Sequence, residues 1–150
     1  SRQLDKVVGR ACLIHSLYQE SHADKIDRLA AAAGIVQDVL IEVNDGESNK
    51  QGVVDENLID MLTHCAALKH VRVRGLMIMA SIGDASVARA TFKRLRELRD
   101  AAQSDLAARG IDMELHELSM GMSNDYSEGI GEGATMVRIG RAIFSADYAG

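Results

Sequence analysis

The chain is 150 residues long, 47% hydrophobic and 26% charged, with 22 acidic against 17 basic residues and a net charge of −5. That balance is the composition of one globular domain rather than of a disordered or membrane protein. The charges are interspersed, so no basic stripe invites a nucleic acid or an anionic membrane surface, and no apolar run approaches the ~20 residues that span a bilayer.

The opening Ser1, Arg2, Gln3 carries no signal-peptide pattern, which makes a cytoplasmic location the default. Cys12 and Cys65 lack CxxC spacing and histidine partners, and read as reduced, buried structural thiols without a metal. A chain that starts on serine reads as a fragment or processed product. The absence of proline, against about 5% in an average domain, has no explanation in the sequence.

In chain order, residues 2–8 read as the tail of a helix stopped by Gly9, with Leu4, Val7 and Val8 at helical spacing. A strand is predicted over 11–15, then a helix over 23–33 with Ile26, Leu29, Ala30 and Ala33 on one face and Gly34 closing it. A second strand over 38–43 is apolar on both faces apart from its acids, as in a buried parallel sheet. A polar loop, 44–52, leads to a helix over 55–68 that buries Leu58, Ile59, Leu62 and Cys65 or Ala66.

The third predicted strand, 71–79, changes from alternation to a continuous apolar run, so its second half is the more buried. A long helix over 86–108 follows, with Ala90, Leu95, Leu98, Ala102 and Leu106 inward. Then come a strand over 113–118, a short helix over 124–132, a strand over 135–139, and the start of a last helix at 140–144. Five strands alternating with helices and no hairpin signal indicate an α/β fold with a parallel sheet. Parallel strands with right-handed crossovers form a barrel or an open sheet. A (β/α)8 TIM barrel takes ~250 residues, so as a barrel the chain is its rear part, with the N-terminal strands absent.

Chemistry concentrates in residues 117–144. The predicted strand 113–118 runs into Ser119, Gly121 and Ser123, with Asn124 opening a helix: main-chain N–H groups beside a hydroxyl suit an anion. The next strand ends in Gly140 and Arg141. In barrels the loops after the last two strands often hold phosphate, and glycine permits close approach. Ser123 with Asn124 and Asp125 also reads as a plain N-cap, and Gly140 as a plain turn. Arg138 sits within an apolar strand, where an always-protonated guanidinium needs a partner: a ligand acceptor such as a pyridine nitrogen, or a strand carboxylate such as Glu42. Lys50 reads as a mouth residue or an exposed loop lysine. The five histidines form no ligand pair or triad; His15 and His116 read as core or mouth residues, and Met77, Met79, Met120 and Met136 as core filler.

These residues carry a resemblance. L-S-M-G-M-S-N-D from 118 and G-A-T-M-V-R-I-G-R-A-I-F from 133 resemble the signature of the pyridoxal phosphate homeostasis proteins (YggS/PROSC-like). V-V-G-R-A-C-L-I-H-S at 7–16 is similar to that family's fourth strand, E-V-N with a later K-x-G at 42–52 to its fifth-strand loop, and R-G-L-M at 74–77 to its sixth strand.

The resemblance implies an alanine-racemase-like barrel holding pyridoxal 5′-phosphate (PLP) at its C-terminal mouth. Met122, Ser123, Gly140 and Arg141 would hold the phosphate and Arg138 would contact the pyridine nitrogen. The family's Schiff-base lysine precedes Ser1 in the alignment of motifs, and none of Lys6, Lys25, Lys50, Lys69 and Lys93 takes its place. The chain departs from the pattern in a loop one residue shorter at 44–50, a missing proline after R-G-L-M-I-M, and Ser145 where a glycine is usual.

Three functions follow as expectations: a PLP carrier in intracellular PLP homeostasis without catalysis of its own, a racemase-like PLP enzyme, or a cofactor-free phosphate-binding barrel fragment. Expected partners are PLP and either a missing N-terminal half or a second copy at the open barrel edge, with no nucleic acid and no membrane.

Overall fold

The computed structural model describes residues 4–46, 51–80, 84–122 and 126–138, with main chain alone for Met122, Tyr126, Val137 and Arg138. The helices are α1 (Leu4–Val7), α2 (Glu20–Ala33), α3 (Leu58–Ala66, preceded by a 3-10 turn, Asp55–Asn57), α4 (Ala85–Ala108) and α5 (Tyr126–Gly131). The strands are β1 (Leu13–Leu17), β2 (Gln37–Glu42), β3 (Val71–Ile78), β4 (Glu117–Met122) and β5 (Met136–Arg138). They form one sheet in the order β1-β2-β3-β4-β5, parallel at every step, as the βα alternation predicts.

The helix ends follow local chemistry. Gly34 closes α2 at φ 70°, its N–H returning to the carbonyls of Ala30 and Ala31, a conformation that costs other residues a clash at Cβ. Asp84 caps α4 by accepting from the amides of Ser86 and Val87. Inside α4 the inward face is shifted from the expected one: Ala88 and Phe92 are buried while Ala90 is exposed. Cys12 is a further correction, since it precedes β1 and is exposed, whereas Cys65 is buried against the sheet. Met79, past the end of β3, is 40% exposed rather than core.

The predicted strand over 113–118 begins four residues late, at Glu117. The reason is competition for the main chain. The Gln103 side chain of α4 accepts from Leu115 N and donates to Met113 O, and Arg99 Nη1 donates to the carbonyls of Leu115 and His116. Those groups are thereby taken from the ladder, and His116 lies exposed before β4 rather than within it. Pairing with β3 starts at Gly75↔Glu117, where a Cβ on residue 75 would stand 1.8 Å from Glu117 O, so only glycine admits the approach.

One layer of core lies between sheet and helices, built on Ile26, Val39, Ile41, Leu62, Leu76, Ile78, Phe92, Leu95, Leu106, Leu118 and Met120. Leu40 and Met77 are equally buried yet stand outside this cluster, on the other face of the sheet. That face is concave. Strands are spaced roughly 4.8 Å apart, which puts β1 and β4 about 14 Å apart in a flat sheet. His15 Nδ1 on β1 nevertheless approaches Ser119 Oγ on β4 to 3.5 Å, so the sheet is curled around its inner side chains.

Candidate functional site

β4 and β5 end side by side at one corner of the sheet. Met122, the last residue of β4, is the Cα partner of Arg138, the last residue of β5. The main chain therefore brings together two of the residues singled out from the sequence. Ser123, Gly140, Arg141 and Lys50 lie outside the described residues, as do the side chains of Met122 and Arg138.

The shape of this corner comes from glycines. The β4–β5 register shifts between Ser119 and Met122, two residues on β4 standing against one on β5, and Gly121 takes φ 102° within that stretch. A bulge of this kind re-aims the end of a strand, and the left-handed φ requires glycine. From the outside, α5 presses onto the same segment through Gly129, where a Cβ would fall 2.5 Å from Met120 O. Any side chain at 129 lifts α5 away from β4.

The inner face below the corner is lined by polar groups with partners. Ser119 is fully buried and Glu42 is 4% exposed, both on the concave side with Met77. Towards the N-terminal end of the strands, Asp38 accepts from Arg72 Nε at 2.7 Å and Arg74 Nη1 at 3.4 Å. The carboxylate hydrogen bond from Arg72 holds that guanidinium's pKa above its already high value.

A second organised element borders the same end of the sheet. After β2, the 7%-exposed Asn44 turns its main-chain N–H and its side-chain amide to the following loop: the N–H donates to Val53 O, Nδ2 donates to Gln51 O, and Oδ1 accepts from Gly46 N. Val53 N returns to Glu42 O. Gly52, at φ 115°, leaves no room for a side chain, a Cβ there falling 2.5 Å from Asn44 N. Arg94 of α4 then fastens the frame, donating to Asn44 O at 2.7 Å and to Asp55. Sequence reasoning noted the E-V-N segment but missed Arg94, since nothing marks it among the arginines of an exposed-looking helix face.

A cavity of about 1030 Å³ opens at the opposite end of the sheet, in the split between β3 and residues 111–116, with Cys65, Val73, Arg74, Met113 and His116 among its lining. Among the described residues no helix is long and apolar enough to cross a membrane.

Comparison with known proteins adds the following. The family model described as alanine racemase, N-terminal domain, matches residues 2–147. The pyridoxal phosphate homeostasis protein of Aquifex aeolicus (strain VF5) is 45% identical over 140 residues, covering 92% of this chain and 59% of the relative. That of Deinococcus radiodurans is 37% identical over 140 residues, covering 93% and 61%. PipY of Synechococcus elongatus PCC7942, solved with PLP bound, superposes with a TM-score of 0.86 at 30% identity, covering 96% of this chain and 66% of PipY. The chain thus spans 59% and 61% of the two curated relatives.

Proposed function

We propose a function from one premise: the chain belongs to the alanine racemase N-terminal domain family. It is the PLP-binding part of a pyridoxal phosphate homeostasis protein, the rear five strands of a (β/α)8 barrel, and it supplies the phosphate- and pyridine-binding side of the cofactor site. The protein works in the cytoplasm.

The observation that carries this reading is the Met122↔Arg138 pairing at the ends of two adjacent parallel strands. Main-chain N–H groups of Met122 and Ser123 on one corner, and of Gly140 and Arg141 on the other, hold the phosphate with the Ser123 hydroxyl. Gly121 and Gly129 fit such a cradle, the first by its left-handed φ of 102° and the second by lacking a Cβ that would stand 2.5 Å from Met120 O. The Arg138 guanidinium, protonated at every working pH, faces the pyridine nitrogen and keeps it unprotonated. Bound PLP supplies an electron sink, and an unprotonated pyridine weakens it, which suits holding the cofactor better than carbanion chemistry. A racemase needs a second acid or base opposite the lysine. The covalent lysine and the remaining barrel strands come from a segment that pairs with the outer edge of β1, the edge strand among the described residues, or a second copy covers that edge.

The test is PLP absorbance followed by borohydride reduction and intact mass. This chain alone is expected to bind PLP or inorganic phosphate weakly and to give no reduced lysine adduct. Sub-micromolar affinity with an adduct on one of its five lysines overturns the assignment of roles.

A further inference from the structure

β5 is three residues long, and its ladder with β4 rests on two Cα pairings, Ser119↔Met136 and Met122↔Arg138, with an irregularity between them. So short a ladder specifies register poorly. A slip of one residue turns every side chain to the opposite face, and little main-chain pairing opposes it.

The residue immediately before β5 supplies what the ladder lacks. Thr135 N donates to Leu118 O at 3.0 Å, and Leu118 N donates to Thr135 Oγ1 at 2.8 Å. Both main-chain polar groups of Leu118 therefore end on one residue. The hydroxyl has a single proton, directed to Glu117 Oε2 at 2.7 Å in preference to Leu118 O at 3.4 Å. That bond fixes the hydroxyl's rotation so that a lone pair faces the Leu118 amide. The neighbours of Thr135 are Ala134 and Met136, and neither has a hydroxyl. A slip in either direction forfeits the side-chain bonds together. The preceding turn is itself tied down, with Ala134 N on Gly129 O and Arg96 on the carbonyl and carboxylate of Glu132.

We propose that Thr135 is a positioning residue: its hydroxyl, oriented by Glu117, locks β5 in register on β4 and so determines that Arg138 arrives beside Met122 at the cofactor corner. The link to the cofactor rests on the PLP reading above; the register lock itself does not.

The experiment compares Thr135→Val, Thr135→Ser and Glu117→Gln with the parent chain by amide exchange and cross-strand proton contacts in NMR, alongside PLP titration. In Thr135→Val the Leu118 amide should exchange about ten-fold faster, as loss of one part-buried hydrogen bond implies. The Ser119–Met136 contacts should weaken or move by one residue, and PLP affinity should fall. Thr135→Ser should restore all three, and Glu117→Gln should shift them the same way by less. Should Thr135→Val fail to fold, the other two variants decide by the same readouts. Parent-like Leu118 exchange and Ser119–Met136 contacts in the folded Val variant, or in Glu117→Gln where Val does not fold, overturn the lock. A parent chain that ignores PLP while the exchange pattern holds removes the cofactor reading and leaves the lock standing.

Discussion

Gly75 and Glu117 are Cα partners at the first rung between β3 and β4, and a methyl group on Gly75 would lie 1.8 Å from the Glu117 carbonyl oxygen. The offending atom is main chain in a central strand, which cannot swing aside. Gly75→Ala should cost at least about 3 kcal/mol, the upper end of overpacking penalties. Denaturant unfolding measures it, and a loss near zero would mean that β4 reaches β3 elsewhere.

Arg94 joins α4 to the loop after β2 through Asn44 O and Asp55. Arg94→Ala leaves a buried carbonyl without that donor and should cost about 1–3 kcal/mol, as bonds to charged groups do. Amide exchange should accelerate at residues 44–46 and 51–53 while α2 keeps its protection. Arg94→Lys should recover only part, because an ammonium lacks the guanidinium fork. Equal acceleration throughout the chain would indicate general destabilisation instead of a local fastening.

The two thiols should behave differently. Burial, then the nearby carboxylates of Asp24 and Glu20, push the Cys65 thiol up to about 12 from its ordinary 9.0. With the folded value above the unfolded one, the neutral thiol's contribution is present below pH 9 and fades as the pH climbs towards 12. An Ellman titration at neutral pH should count Cys12 alone in the native chain and both thiols after denaturation. Rapid native reaction of both contradicts the burial of Cys65.

Asp84 is held below its ordinary 3.8 by the Ser86 hydroxyl and the amides of Val87 and Ser86. A lowered folded value stabilises above the unfolded pKa and is lost as pH falls through the folded one. Asp84→Ala should therefore melt lower than the parent at pH 7, with the gap closing in acid below the usual aspartate range. A gap that is constant down to acid pH would assign it to helix propensity rather than to the cap.

Most of the element order was legible because βα periodicity is local: Gly34 marks the end of α2, and the apolar run of β3 marks its buried half. β4 was misplaced because Gln103 and Arg99, on a separate helix, capture the main chain of residues 113–116. Alternation in M-E-L-H-E-L carries no trace of that competition. Ala88 and Ala90 are interchangeable to a pattern of small residues, so the exact inward face of α4 depended on packing. For the site, a long motif named Met122 and Arg138, whose main chains do pair. Asn44, Arg94, Gly129 and Thr135 were invisible as a set, since each acts through a partner that the fold alone brings near.

PLP seated at the ends of β4 and β5, as proposed, is decided by an amide-resolved NMR titration of the chain with PLP. Shifts confined to Met122, Ser123 and residues 138–141, competed by inorganic phosphate, are the predicted result. Shifts clustered in the split between residues 71–74 and 111–116, or scattered over the lysines without phosphate competition, would contradict it.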